Sequence, residues 1–186
     1  MKIAICGSAG TGKTTLATAL AGKQKCSVVA EQYDDFCDDK FEFIKPAGRL
    51  QRQIFVTLEQ KNRIENDNRD FVADRCPVDL FNLWLSRGFG ANRRKTADLY
   101  NRCRSYIRKY DRIIVLPWSA LRLTQVEEQA SRRRRVMNHW VQLYNHSTMI
   151  GLLQQWVSPT RLVPIPFDVV DLNGRVDFLM GAIELP

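Results

Sequence analysis

The sequence predicts an α/β fold, with a parallel sheet of about five strands covered by helices on both faces. Short apolar runs alternate along the chain with longer segments whose apolar residues recur at helical spacing. This alternation is typical of parallel sheets, because each crossover between parallel strands needs a helix-sized connection. The 186 residues fit a single domain over 1–186, since domains usually contain about 100–200 residues.

The predicted strands are short apolar runs, as expected of strands that are buried on both faces of a sheet. They comprise residues 2–6, 27–30, 71–73, 112–116 and 162–163, and residues 169–172 also have an extended pattern. The run at 112–116 is the clearest, because its apolar residues are consecutive and Pro117 ends them.

The segments between and after these runs have helical periodicity. They span residues 13–22, 46–68, 77–88, 95–110, 136–156 and 176–183. Pro46 and Pro77 lie where a helix tolerates proline, in its first turn. Gly22 and Gly88 are typical residues at which a helix ends.

The chain is basic, with 28 Lys and Arg against 20 Asp and Glu, a net charge of +8 and an isoelectric point of about 9.5. Basic residues concentrate at 93–112 and in the arginine run 132–135, whereas 31–42 is acidic. Basic clusters of this kind bind polyphosphates or a nucleic-acid backbone, or they are simply solvated helix faces.

Cysteine usage and hydropathy indicate a cytoplasmic protein. The chain has five cysteines, an odd number without a CxxC pair, so we expect reduced thiols and no zinc site. No apolar run approaches the roughly 20 residues of a membrane helix. The apolar stretch at 3–6 is too short for a signal peptide. We therefore expect no membrane partner.

A phosphate-binding motif follows the first predicted strand. It matches GxxxxGK[ST] in full, with Gly7, Ser8, Ala9, Gly10, Thr11, Gly12, Lys13 and Thr14. Its glycines let backbone N–H groups surround an anion, and the next helix adds its positive N-terminus. Lys13 is predicted to reach the β- and γ-phosphates of ATP, and Thr14 to offer its hydroxyl to Mg²⁺. The motif therefore predicts a P-loop NTPase-type α/β/α fold but does not separate a kinase from an NTPase.

Charged residues follow the third predicted strand, at the sheet edge where ligands bind in open α/β folds. Asp74 is placed to hold Mg²⁺, directly or through water, and Arg75 to meet an acceptor substrate. A surface ion pair is the alternative for both. Asp79, in the following helix, is a further candidate for substrate binding.

Carboxylates also follow the second predicted strand. Glu31 could accept a proton from an attacking hydroxyl group. Asp34 and Asp35 are weaker candidates for that role, and solvation of a loop is the alternative for Glu31.

These residues resemble the motifs of deoxynucleoside kinases and their P-loop kinase relatives. The resemblance rests on Glu31, the helix that contains Gln53, and the run Asp74, Arg75 and Cys76. It implies that Glu31 is the catalytic base, that Gln53 recognises the nucleobase, and that Asp74 and Arg75 serve the metal and the acceptor. Cys76 stands where that family usually has serine, and a solvated helix face is the alternative for Gln53.

The arginine run predicts a lid near 122–136. In similar kinases an arginine-bearing lid closes over the phosphates after the fourth strand, and a guanidinium group can hold two phosphate oxygens. Arg132 is predicted to stabilise charge in the transition state, and Arg133 to contact ATP. The other arginines of the run would face solvent or another anion, because a helix turns about 100° per residue.

The function that fits these features is transfer of the γ-phosphoryl group of ATP, with Mg²⁺, to a nucleoside, a nucleotide or a hydroxymethylated base in DNA. The DNA acceptor follows from a weaker resemblance to viral 5-hydroxymethyluridine DNA kinases, which rests on small size, kinase motifs and a basic surface. Two other classes stay open: an NTPase switch or motor, and a nucleic-acid-binding module with a nucleotide site.

Overall fold

The computed structural model describes residues 1–31, 33–37, 42–118 and 138–183, and within them five strands form one sheet. Every neighbouring pair of strands is parallel. The strands are β1 (Lys2–Cys6), β2 (Ser27–Val29), β3 (Phe71–Asp74), β4 (Arg112–Val115) and β5 (Leu162–Pro164), in the spatial order β2-β3-β1-β4-β5. The predicted α/β class with five parallel strands is confirmed.

Helices in the described residues cover both faces of this sheet. They are α1 (Lys13–Gln24), α2 (Ala47–Asp67), α3 (Pro77–Ser86), α4 (Arg93–Tyr106), α5 (His139–Trp156) and α6 (Leu172–Ile183). In the part of the chain that the structure describes, none of them is both long enough and apolar enough to cross a membrane.

Two apolar cores lie on opposite faces of the sheet, because alternate strand residues point to opposite sides. On one face Ile5 packs with Leu16 of α1 and Leu179 of α6. On the other face Ile113 packs in a larger core with residues of α2 to α5, among them Ile54. The division produces the three layers α/β/α that the phosphate-binding motif predicted.

The largest difference from the predicted elements lies after β5. The prediction of an extended segment at 169–172 was wrong, because Val169 and Val170 belong to no strand and α6 already begins at Leu172. The carboxylate of Asp171 accepts a hydrogen bond from the N–H of Gly174 at 2.8 Å. This interaction satisfies a free donor in the first turn and starts the helix.

Trp84 joins three helices on the larger core. Its fully buried indole makes edge contacts with the rings of Phe55 and Phe89, at centroid distances of 5.8 and 5.2 Å. Its Nε1–H donates to the hydroxyl of Thr96 at 2.9 Å. Since Phe55 lies on α2 and Thr96 on α4, this single side chain fixes α3 against both neighbours.

We expect Trp84→Ala to lower the free energy of unfolding by about 3–5 kcal/mol, because a large buried ring is replaced by a cavity. Trp140→Ala is the matched control, since Trp140 is 75% exposed and its removal should change stability by less than about 0.5 kcal/mol. Urea denaturation of both variants measures the difference. Equal losses for the two variants would contradict the packing described here.

Candidate functional site

The phosphate-binding motif forms the loop between β1 and α1. Gly7, Gly10 and Gly12 have positive φ angles of 152°, 78° and 87°, which residues with a Cβ rarely adopt. At Gly7 an added Cβ would also lie 3.1 Å from the Cβ of Leu116. The backbone path of the loop therefore requires glycine, independently of any ligand.

Lys13 lies in the first turn of α1 and is 5% exposed. Its Nζ donates to the carbonyl oxygen of Ser8 at 2.7 Å. Burial and then the charge of Arg75 lower the pKa of Lys13 from 10.5 to about 8, although the carboxylates of Asp79 and Glu31 oppose this shift. A desolvated ammonium group of this kind is stabilised by a ligand that brings negative charge.

Thr14 and Asp74 meet where β1 and β3 end. The Thr14 hydroxyl donates to Oδ2 of Asp74 at 2.6 Å, and Asp74 is 1% exposed. Among the described residues, no donor reaches the buried Oδ1 of Asp74. An unsatisfied buried carboxylate oxygen is costly, and a hard cation next to the hydroxyl would satisfy it. The structure thus brings together the two residues that were predicted to bind the metal.

Arg75 links two predicted site carboxylates. Its Nε lies 2.8 Å from Oε2 of Glu31, and its Nη1 lies 3.4 Å from Oδ1 of Asp79. Burial lowers the pKa of Arg75, but these carboxylates outweigh it and raise the pKa above its ordinary value. Arg75 also has a φ of +69°, a conformation that costs a non-glycine residue about 1–3 kcal/mol and that clusters at functional sites.

Asp79 serves both this ion cluster and the start of α3. Its Oδ2 accepts a hydrogen bond from the N–H of Cys76 at 3.0 Å, and the Cys76 side chain caps the helix in return. The pair forms a capping box with cysteine in place of serine or threonine. Burial raises the pKa of Asp79, although Arg75 and Lys13 oppose the shift. Asp79 is therefore placed to orient Arg75.

The remaining predicted site residues are not joined to this cluster by the described contacts. The amide of Gln53 on α2 donates to the hydroxyl of Thr57, one turn further along the same helix, at 3.3 Å. Its role in nucleobase recognition stays a prediction. Arg132, Arg133 and the predicted lid at 122–136 lie outside the described residues.

Two residues that the sequence did not single out contact the phosphate-binding loop. Nε2 of Gln142 on α5 donates to the carbonyl of Ala9, and Nη1 of Arg175 on α6 donates to the carbonyl of Thr11, both at 2.9 Å. Each is a buried polar residue on a helix whose other buried positions are apolar. A polar residue at an inward-facing position of an otherwise apolar helix face was therefore the feature of the sequence that could have indicated these two contacts.

Lys61 on α2 is a third residue that sequence reasoning missed. Its Nζ donates to the main-chain carbonyl of Asp74 at 3.1 Å and lies 3.6 Å from Oε1 of Glu65. Glu65 is buried and also accepts a hydrogen bond from the Tyr110 hydroxyl at 2.7 Å. A buried polar network of Lys61, Glu65 and Tyr110 therefore holds the C-terminal end of β3 in place.

A family model described as an AAA domain (AAA_28) matches residues 2–161, which include the phosphate-binding loop and the Asp74–Arg75 turn. The chain belongs to this family. No curated protein matches the sequence of this AAA domain.

Solved structures resemble this AAA domain over nearly its full length. A deoxyadenosine kinase from M. mycoides, solved with the products dCMP and dCDP, has 16% identity and a TM-score of 0.70, with 98% of each chain covered. The same enzyme with dATP covers 100% of both chains at 16% identity, with a TM-score of 0.67. The YorR protein of Bacillus subtilis, in complex with phosphorylated GDP, has 11% identity and a TM-score of 0.57, over 98% of this chain and 95% of its own.

These likenesses show that the AAA domain has a P-loop kinase-like fold, the fold of the M. mycoides deoxyadenosine kinase. The resemblance to P-loop kinases that the sequence motifs indicated is confirmed.

We expect Lys13→Met to stabilise the ligand-free protein at neutral pH, because it removes a buried ammonium group. The pKa of Lys13 is about 8 in the folded state, below its ordinary value of 10.5. Between these pH values Lys13 is therefore mostly deprotonated in the folded protein but still protonated in the unfolded chain. Wild-type stability should therefore rise with pH over this window, by up to about 3 kcal/mol. The advantage of the variant should be largest below pH 8 and shrink towards pH 10.5.

Urea denaturation of wild type and variant across this pH range measures the effect. Lys23→Met provides the control, because Lys23 is an exposed lysine on the same helix and should show no such pH dependence. If the advantage of Lys13→Met stayed constant with pH, the lowered pKa would be refuted.

Proposed function

We propose that this AAA domain is a Mg²⁺-dependent kinase that transfers the γ-phosphoryl group of ATP to a nucleoside or nucleotide. One observation carries the proposal: Glu31 and Arg75 form an ion pair at 2.8 Å with each side chain 20% exposed, and the pair adjoins Asp74, whose carboxylate accepts the hydrogen bond of Thr14 in the phosphate-binding loop. A phosphate-binding loop alone would serve an NTPase equally well. A partly exposed carboxylate and guanidinium beside it provide for a second substrate.

The proposed reaction assigns a separate task to each residue. Glu31 accepts the proton of the acceptor hydroxyl. At the same time the oxygen of that hydroxyl forms a bond to the γ-phosphorus of ATP, and the bond between the γ-phosphorus and the oxygen that leaves with ADP breaks. Arg75 holds the acceptor, and Lys13 with the loop N–H groups stabilises charge on the phosphates. Where the acceptor is a phosphate group, it attacks as an anion and Glu31 has no proton to remove.

Thr14 and Asp74 would hold Mg²⁺. A hydroxyl and a carboxylate oxygen suit this ion, which usually takes phosphate oxygens and waters as its other ligands. Within the ranges that the structure describes, no three His, Cys, Asp or Glu residues gather into a metal cluster. This favours an ion shared with the nucleotide, and such an ion neutralises phosphate charge when bound.

The ligands of the structural neighbours support the acceptor class. The M. mycoides enzyme was solved with dCMP, dCTP and dATP, and the YorR protein with phosphorylated GDP. For this chain we propose that Gln53 pairs with the nucleobase edge and that Arg132 and Arg133 close over the phosphates.

A hydroxymethylated base in DNA is the second acceptor that we consider, on the evidence of one surface. Arg93, Arg94, Arg104 and Arg108 are exposed on and just after α4. Such a surface binds phosphate backbones in a salt-dependent way. The likeness to solved kinases does not favour a polymeric acceptor over a free nucleoside.

Incubation with ATP labelled in the γ-phosphate, together with Mg²⁺ and a panel of acceptors, tests the function. The panel contains deoxynucleosides, deoxynucleotides, plain DNA and hydroxymethylated DNA. We expect label in a deoxynucleoside or deoxynucleotide. Label only in hydroxymethylated DNA would select the DNA acceptor. Release of labelled phosphate alone would indicate an NTPase. If label is neither transferred nor released, a binding module is the function that fits.

Glu31→Gln is expected to lower kcat for a hydroxyl acceptor by about 10²-fold or more, because the variant keeps the shape of the side chain but cannot take the proton. Glu59→Gln is the matched control. Glu59 also lies 2.8 Å from an arginine nitrogen, that of Arg102, and its replacement should leave kcat unchanged. Full turnover by Glu31→Gln would remove the proposed base.

A further inference from the structure

Two carbonyl groups of the phosphate-binding loop are held by side chains from distant helices. The carbonyl of Ala9 accepts a hydrogen bond from Gln142, and that of Thr11 accepts one from Arg175. Gln142 is separated from Ala9 by 133 residues and Arg175 from Thr11 by 164 residues. Neither Gln142 nor Arg175 belongs to the phosphate-binding motif. Neither hydrogen bond is part of the main-chain bonding that forms α5 or α6.

These contacts determine where two N–H groups of the loop point. The peptide bonds of the loop are trans, so each peptide plane directs its C=O and its N–H in opposite directions. The carbonyl of Ala9 shares its plane with the N–H of Gly10, and that of Thr11 with the N–H of Gly12. Because Gln142 and Arg175 hold these carbonyls from outside the loop, the N–H of Gly10 points away from α5 and the N–H of Gly12 points away from α6.

Glycine makes such external support necessary. Gly10 and Gly12 both have positive φ, and glycine explores more backbone conformations than any other residue. A loop rich in glycine therefore loses much conformational entropy when its N–H groups converge on an anion. Contacts that hold the peptide planes before binding reduce that loss and strengthen binding.

Gln142 is attached to the loop at two points. Besides its side-chain bond to Ala9, its main-chain carbonyl accepts a hydrogen bond from the hydroxyl of Ser8 at 2.8 Å. One turn further along α5, Asn145 accepts a hydrogen bond from Asn82 of α3 at 3.1 Å. The N-terminal half of α5 is thereby held between the loop and α3, which gives the Gln142 amide a defined position.

Arg175 connects the loop to the segment after β5. It is 3% exposed, and its Nε donates to the carbonyl of Val169 at 3.1 Å while Nη1 reaches Thr11. Over the described residues, its guanidinium forms no ion pair with a carboxylate. A buried positive charge without a paired carboxylate adds to the attraction of the loop for phosphates.

We infer that Gln142 and Arg175 are positioning residues that hold the peptide groups before Gly10 and Gly12 in the orientation that binds a polyphosphate. The inference rests on the proposed function, because it assumes that the loop binds a triphosphate. It adds two residues from the C-terminal third of the chain to the phosphate-binding machinery.

The test compares Gln142→Leu and Arg175→Met, which remove the donors; leucine keeps nearly the shape of the glutamine side chain, and methionine keeps the unbranched apolar part of the arginine side chain. Calorimetric titration with inorganic tripolyphosphate and with ATP, each with Mg²⁺, measures affinity. Gln155→Leu, exposed on the same helix, is one control. Arg161→Met is the other, because Arg161 also donates to two main-chain carbonyls, those of Arg108 and Tyr110.

We expect each of the two variants to bind tripolyphosphate about tenfold more weakly, the size of effect typical for loss of a partner by a buried polar group. The controls should stay within twofold of wild type. In kinetics the KM for ATP should rise while the KM for the acceptor does not. In the ligand-free protein, the amide ¹⁵N resonances of Gly10 and Gly12 should shift in the variants and not in the controls.

Wild-type affinity in a folded Gln142→Leu or Arg175→Met protein would overturn the inference for that residue. If Gln142→Leu does not fold, Gln142→Asn, which shortens the side chain by one methylene, decides the question for Gln142. If Arg175→Met does not fold, Arg175→Lys, which keeps the charge but lacks the planar set of donors, decides it for Arg175. If wild type binds neither ligand, the proposed function fails and this inference falls with it. The proposed function stands if wild type and controls bind the ligands and Lys13→Ala does not. If both test variants then bind with wild-type affinity, this inference alone is wrong.

Discussion

The parallel pairing of β1 with β3 is the constraint on which the rest of the site depends. Ile5 is in register with Asp74, and the N–H of Arg75 donates to the carbonyl of Ile5 at 2.9 Å. The strand end that precedes the phosphate-binding loop is thereby tied to the strand end that carries the acidic residue. A slip of one residue would turn Asp74 to the opposite face of the sheet and separate it from Thr14.

The charges gathered at this edge favour a bound anion over the free state. Lys13 and Arg175 are both buried, and burial lowers the pKa of each. Arg75 stays charged because Glu31 and Asp79 lie beside it. Cations that are desolvated in the free protein destabilise it, and a polyphosphate that binds only the folded state recovers this loss. Such a balance is common where stability is given up for function.

Much of the fold followed from local patterns. The runs at 2–6 and 112–116 were assigned correctly because strands buried on both faces are continuously apolar. The segment at 169–172 was predicted to be extended because of its two valines, whereas it pairs with no strand among the described residues and Asp171 starts a helix. Propensity over so few residues is a weak predictor when pairing decides the outcome.

The sequence by itself determined the chemistry of the loop and the residues at the strand ends. A contiguous motif specifies its own backbone, so Gly7 to Thr14 could be assigned without any knowledge of the fold, and parallel strands place Glu31 and Asp74 at one edge. Only the tertiary structure decided that Arg75 pairs with Glu31 and that Gln142 and Arg175 hold the loop. These contacts join residues far apart in the chain, and their formation depends on helix packing that no local pattern encodes.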